Sequence, residues 1–214
     1  RFAGVTGMAR ALAFLRRQAY AAALDLQGLI KSAVFARGSG AGRVLGFERG
    51  ALREPAAAWG YRELVPVDDR GHVVHKNLAM LAPLGVASAG VSFPWKVTAS
   101  AVADAVAQDA RVERAGGFVL LNPGAAWENK RWPVEHFGAL ARGLGDRHGL
   151  PSVVTWGPGE QARAAAVAAC APEQTLVSPP TALADVLALA RAARLAVSGD
   201  TGPLHLAASV GTPI

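Results

Sequence analysis

Short apolar runs alternate with helix-patterned stretches along most of this sequence, and that alternation constrains its fold more than any other feature. Residues 1–18 predict a helix, with Met8, Leu12 and Leu15 at helical spacing and Arg10, Arg16 and Arg17 as basic positions. Residues 20–26 predict an apolar strand ending in Asp25-Leu26-Gln27-Gly28, and a helix over 29–36 carries Lys31 near its start. A loop at 38–42 leads to a second short strand over 43–47. Pro55 should break or start a helix within 48–59. Residues 73–84 predict a helix with Val74, Leu78 and Leu81 on one side. Strands alternating with helices in this way predict a parallel α/β sheet.

Residues 91–117 differ. Phe93-Pro94-Trp95 starts an extended segment, an Ala-rich helix is expected over 98–114, and Gly116-Gly117 should end it. The stretch reads as a connector between two domains, 1–90 and 118–214. A second α/β series follows, with strands expected over 118–121, 151–156, 175–177 and 195–198. Helices are expected over 134–148, from Glu160 to Ala171, and over 182–193 with Thr181 as a cap. The closing Gly211-Thr212-Pro213-Ile214 reads as the entrance to a further strand, so the sheet is expected to be cut short.

Composition narrows the function classes. A chain of 214 residues with 51% hydrophobic and 18% charged residues is expected to build a substantial core. No apolar run reaches membrane-spanning length. The single cysteine, Cys170, cannot form an internal disulfide, which suits a reducing cytoplasm. The net charge of +6 is spread out; only Arg16-Arg17 and Lys130-Arg131 stand together. Nucleic-acid binders concentrate charge on a stripe and interleave aromatics, so nucleic acid is not the expected partner. Diffuse positive charge fits an anionic membrane surface or an acidic substrate at least as well.

Three loops of the second series follow strands and should open on one sheet edge. Ser198-Gly199-Asp200-Thr201-Gly202-Pro203 combines a polar turn with a helix start. Gly199 and Gly202 are expected to supply unusual backbone angles, and Pro203 suits a first helical turn. Free amides of Thr201, Gly202 and Leu204, with the helix dipole, would make an anion site. Asp200 beside it is suited to sugar hydroxyls. A plain helix cap by Asp200 or Thr201 explains the same turn. The loop from Asn122 to Trp132 brings Lys130 as a compact phosphate-binding charge. Glu160, with Gly157 and Gly159 before it, can accept ribose hydroxyls or simply lie at a helix N-terminus. His205 can equally be a helix-surface residue. Together these parts suit a nucleoside diphosphate carrying a hydroxyl-rich group.

Asn122-Pro123-Gly124-Ala125, Lys130-Arg131-Trp132-Pro133 and Asp200-Thr201-Gly202-Pro203-Leu204-His205-Leu206-Ala207-Ala208 resemble the signature of glycosyltransferase family 9, the ADP-heptose:lipopolysaccharide heptosyltransferases. Asp25-Leu26-Gln27-Gly28-Leu29-Ile30-Lys31-Ser32 and Arg53-Glu54-Pro55 are similar to its heptosyltransferase I branch. The resemblance runs from about Ala22 onward. It implies a GT-B fold of two Rossmann-like parallel-sheet domains, with acceptor bound by the first and donor by the second. It also implies inverting transfer of heptose from ADP-heptose to the Kdo region of lipid A, at the cytoplasmic face of the inner membrane. By the same resemblance Lys130 would neutralise the donor diphosphate, Glu160 bind the ribose and Asp200 hold the heptose hydroxyls. The backbone of Thr201, Gly202 and Leu204 would cradle the phosphates, with His205 close by. Lys31, Arg53 and His75 would face the anionic acceptor. Neither metal nor cofactor is implied, because fixed positive groups stabilise the departing diphosphate.

Two departures stand out. Some heptosyltransferase I members carry hydroxyl residues where this chain has Ala125 and Ala126, leaving only backbone contacts to the donor there. The family's general base lies in a first strand–helix loop expected upstream of Arg1, so the chain reads as an internal fragment, inactive alone, with no assignable base. Asp25 is a poor substitute, since it belongs to a structural, acceptor-side motif. The rival readings are another family 9 transferase with a different sugar or acceptor, and a non-catalytic nucleotide- or nucleic-acid-binding module.

Overall fold

A computed structural model describes residues 4–87 and 90–214 of the chain. The chain divides into two units, Arg1–Val91 and Ser92–Ile214, each built on its own parallel sheet. Among the described residues, no helix is long and apolar enough to cross a membrane.

The first unit begins with helix α1 (Gly4–Arg17), followed by β1 (Ala22–Asp25), α2 (Ile30–Gly38), β2 (Arg43–Phe47), β3 (Glu63–Val65) and α3 (Val73–Ala79). The expected helix at 1–18 thus forms over its described part; residues 1–3 lie outside the described residues. The three strands pair in the order β1-β2-β3, all parallel. Val44, Leu45 and Phe47 of β2 are buried with Ala33 of α2, Tyr61 and Met80. β3 carries no apolar run that would announce it. Its Glu63 forms a two-pronged pair with Arg43 of β2, Nε to Oε1 at 2.7 Å and Nη2 to Oε2 at 2.5 Å. Pro55 opens a 3-10 segment, Pro55–Gly60. The helix expected over 73–84 stops early: α3 ends at Ala79, and Ala82–Leu84 forms a separate 3-10 turn. Pro83 lacks the amide a continuing helix needs, and Gly85 (φ 74°) turns the chain away.

The loop after β1 is built around a buried carboxylate. Asp25 is only 4% exposed. Its Oδ1 accepts from the amides of Gln27 (2.8 Å) and Gly28 (3.3 Å), and its Oδ2 from the Tyr61 hydroxyl at 2.8 Å. Burial first, and the Asp25 bond second, push the Tyr61 phenol up. Gly28 sits at φ +67°, where a Cβ would press on Leu52 and the Arg53 amide. Its carbonyl accepts from Glu54 N–H at 3.0 Å, and Glu54 Oε2 accepts from Ile30 N–H at 2.7 Å. The Asp25–Gly28 and Arg53–Pro55 motifs are therefore two sides of one braced loop.

The second unit holds α4 (Ala101–Ala107), α5 (Ala110–Ala115), β4 (Val119–Asn122), α6 (Val134–His148), β5 (Ser152–Val154), α7 (Gln161–Cys170), β6 (Thr175–Val177), α8 (Leu183–Ala192), β7 (Leu195–Ser198) and α9 (Gly202–Ser209). The single helix expected over 98–114 is two helices. Asp109 interrupts it, its Oδ1 capping α5 through the Arg111 amide at 3.0 Å. Ser100 caps α4 through the Ala103 amide at 3.1 Å and donates to Asp185 Oδ1 at 2.7 Å. Val106 and Val112 are buried in this unit's core, so most of the stretch read as a connector packs as part of the second unit.

The second sheet runs β6-β5-β4-β7, all parallel. Alternate residues of β4 serve opposite faces, as period-2 geometry requires. Val119 and Leu121 pack with Phe137, Ala141 and Val167, while Phe118 and Leu120 pack with Leu189, Ala190 and Ala207. Both faces are covered, as parallel sheets demand. Thr181 does not cap α8; Ala182 occupies that place, and Asp185 Oδ2 accepts from its amide at 2.8 Å. Residues 211–214 run beside β7: Ala196 N–H donates to Pro213 O at 2.9 Å, and Thr212 Oγ1 to Ala190 O at 2.7 Å.

Candidate functional site

Because β4, β5, β6 and β7 are parallel, the loops leaving their carboxyl ends open on one edge. They enclose a cavity of about 480 Å³, lined among others by Gly124, Ala125, Lys130, Glu160, Asp200 and Gly202.

The β4 loop starts at Asn122, whose Nδ2 donates to Thr155 Oγ1 at 3.3 Å, both residues lining the cavity. Ala125 is buried and Ala126 exposed, and both line the cavity. Arg131 Nε donates to Ala125 O at 2.8 Å, and a 3-10 turn over Glu128–Lys130 carries Lys130 to the β7 loop. Lys130 Nζ donates to Asp200 Oδ2 at 2.8 Å and to Asp200 O at 3.3 Å. His205 Nε2 lies 3.1 Å from the other carboxylate oxygen. The Lys130 bond and charge, with a smaller share from His205, hold the Asp200 carboxyl below its ordinary value.

The turn itself differs from expectation in two respects. Gly199 and Gly202 do not adopt positive φ. Gly199 is required by close approach: a Cβ there would lie 2.7 Å from Lys130 O. At Gly202 a Cβ would meet nothing. Nor is the Leu204 amide free; it donates to Thr201 O at 3.1 Å, as the first turn of α9 tightens. The amides of Thr201 and Gly202 have no acceptor among the described residues, at the positive end of the α9 dipole. The Thr201 hydroxyl turns inward, 2.9 Å from Ser198 Oγ.

Glu160 heads α7. Its Oε2 accepts from Gly157 N–H at 3.0 Å, and its carboxylate lies where a Cβ on Gly124 would stand. Glycine at 124 therefore makes room for this side chain. Beyond it, Trp156, Thr181, Leu183 and Val186 line the β6 end of the cavity. Of these Leu183 is exposed, an apolar side chain left open at a helix start. Leu183, Val186, Thr155 and Trp127 were not singled out from sequence; each resembles an ordinary strand, loop or helix residue until the sheet order sets it beside the others.

In the first unit, Lys31 and Arg53 line a separate cavity of about 390 Å³ together with Lys76 and Asn77. His75 does not line it; it is exposed on α3, one residue and hence about 100° round the helix from Lys76. Lys76 is a further cation of this cavity that was not singled out from sequence. Its ammonium donates to Ala51 O at 2.8 Å, pairs with Asp69 and lies 4.5 Å from the centre of the Phe47 ring. Asn77 Oδ1 is buried without a partner among the described residues.

The model of glycosyltransferase family 9 (heptosyltransferase) matches residues 8–214. The chain belongs to glycosyltransferase family 9. This family 9 chain is 29% identical over 199 residues to lipopolysaccharide heptosyltransferase 1 of Pseudomonas aeruginosa, covering 93% of the chain and 54% of that protein. Two solved structures of the E. coli heptosyltransferase WaaC share its fold. The one with ADP gives a TM-score of 0.70 at 28% identity, over 94% of this chain and 63% of the other. The one with ADP-2-deoxy-2-fluoro heptose gives 0.71 at 26% identity, over 99% and 66%. The family 9 chain thus spans between about half and two thirds of the length of these relatives. Its two parallel-sheet α/β units are of the GT-B type found in those heptosyltransferases.

Proposed function

We propose that the cavity of the second unit binds ADP-heptose, and that the protein transfers its heptose to the Kdo inner core of lipopolysaccharide. One observation carries this reading: the order of chemistries along the sheet edge. At the β6 end lie apolar Leu183 and Val186, suited to a base. Glu160 follows on the β5 loop, with one oxygen left for ribose hydroxyls. Next come Lys130 and the open Thr201 and Gly202 amides, suited to a diphosphate. Asp200, with His205 beside it, ends the row where sugar hydroxyls need an acceptor. Ala125 and Ala126 contribute backbone and shape. The ADP and ADP-heptose analogue bound by the WaaC relatives support the same donor.

In the reaction so read, an acceptor hydroxyl oxygen attacks the anomeric carbon from the face opposite the diphosphate and gives up its proton to a general base that is not assigned to a described residue. The anomeric C–O bond breaks, ADP departs with the electron pair, and the configuration inverts. Lys130 and the α9 dipole stabilise the charge that develops on the leaving diphosphate, without a metal. The diphosphate competes with Asp200 for the Lys130 ammonium, which releases the carboxylate to the sugar. The cavity of Lys31, Arg53 and Lys76 suits the carboxylates of an inner-core acceptor. The net charge of +6, with Arg10, Arg16 and Arg17 on α1, suits a peripheral position on the cytoplasmic face of an anionic inner membrane.

The test is turnover. The full-length protein with ADP-heptose and Kdo-lipid A should release ADP and form heptosylated product, with activity retained in EDTA. Equal or better use of another nucleotide sugar would instead favour a different family 9 transferase.

A further inference from the structure

We propose that Trp127 is the platform on which the sugar ring of the donor lies, and that it sets the preference for nucleotide sugar over bare nucleotide. The inference rests on the donor-site reading above. Trp127 is 71% exposed, the most open of the large apolar side chains among the described residues, yet it lines the same cavity as Lys130 and Asp200. Its loop is not slack. The Lys130 amide donates to Trp127 O at 3.1 Å, and Arg131 ties the loop to Ala125 O at 2.8 Å. The Lys130 side chain fastens the same turn to Asp200. The indole is thus held at the rim by the backbone around it.

The strand order and the Lys130–Asp200 bond together decide which part of a ligand it meets. Trp127 follows β4, which lies between β7 with its Asp200 and β5 with its Glu160 loop. The apolar Leu183 and Val186 follow β6, at the opposite edge, roughly 14 Å from β7 by strand spacing. The Lys130–Asp200 bond ties this same β4 loop to the β7 loop, which sets the indole's loop toward the Asp200 side. A sugar ring has an apolar C–H face and a rim of hydroxyls. An indole suits the face, while Asp200 accepts from the rim. Ala125 and Ala126 offer no polar side chain, so Trp127 is the ligand-sized group this part of the loop presents.

The experiment is calorimetric titration of the wild-type protein, Trp127→Ala and Trp127→Phe with ADP and with ADP-heptose. Trp127→Ala should weaken ADP-heptose by about fivefold to tenfold and leave ADP within about twofold, with Trp127→Phe recovering most of the loss. Equal losses for both ligands would put the indole on the nucleotide or in the loop's own fold and overturn the inference. Unchanged ADP-heptose affinity would overturn it while leaving the donor reading in place. A wild-type protein that binds no ADP-heptose would overturn both.

Discussion

Lys130 and Asp200 close a bridge between the β4 and β7 loops: Nζ lies 2.8 Å from Oδ2 and 3.3 Å from the Asp200 carbonyl oxygen. The two side chains remain 44% and 70% exposed. An ion pair so open to solvent contributes little to folding. Lys130→Ala and Asp200→Ala should therefore melt within about 3 °C of the wild type by circular dichroism. A much larger drop in either variant would mean that the pair holds the loops up rather than waiting for a ligand.

Two glycines in the same turn should respond differently to alanine. Alanine at 199 would bring its Cβ to 2.7 Å from Lys130 O, so one of the two loops must move. Gly199→Ala should cost about 1–3 kcal/mol in urea denaturation. Gly202 faces open space, and Gly202→Ala should unfold like the wild type. Equal effects from both would remove close approach as the reason for glycine at 199.

Acceptor recognition should follow the cavity of the first unit. Lys31→Ala and Arg53→Ala should raise KM for the anionic acceptor by about tenfold each, with little change in KM for the donor, as the loss of a charged contact predicts. His75→Ala should leave both constants near wild type, because His75 does not line that cavity. A large acceptor effect of His75→Ala would show that acceptor binds over α3 instead.

Acid stability should report on Asp109. The Arg111 guanidinium, bonded at 2.8 Å, is the main cause that holds this carboxyl near 2, against an ordinary 3.8. A carboxyl depressed in the folded state adds stability above its unfolded value and loses it as pH falls through the folded one. The contribution should be complete above about pH 4 and disappear toward about pH 2. Over that window the urea midpoint of the wild type should fall further than that of Asp109→Asn, measured by fluorescence. Parallel curves would mean that the Arg111 pair adds nothing to folding.

The second sheet was legible because its strands are apolar and its turns carry glycine, proline or a capping residue. Helix 134–148 and strands 175–177 and 195–198 form at the expected residues. β3 was not, since a three-residue strand with a charged first residue gives no period; it pairs with β2 through the backbone ladder, with the Arg43–Glu63 pair across it. The break at Asp109 was missed because a run of alanines outweighs one capping carboxylate until tertiary packing chooses. In the candidate site, the residue types at 130, 160 and 200 suggested a phosphate and its hydroxyls. What sequence did not give was the partnership of Lys130 with Asp200, the occupied Leu204 amide, or the placing of Lys76 beside Lys31 and Arg53. Each depends on which way a side chain or amide turns, and residue identity alone does not set that.

The most direct measurement is calorimetric titration of the protein with ADP-heptose, beside ADP and UDP-N-acetylglucosamine, repeated on Lys130→Ala and Asp200→Ala. ADP-heptose should bind selectively to the wild type, and each substitution should weaken it by about tenfold to a hundredfold, as expected for a lost bond to a charged group. A folded wild-type protein that binds none of the three, or variants that bind ADP-heptose as tightly as the wild type, would contradict the placement of the donor along this sheet edge.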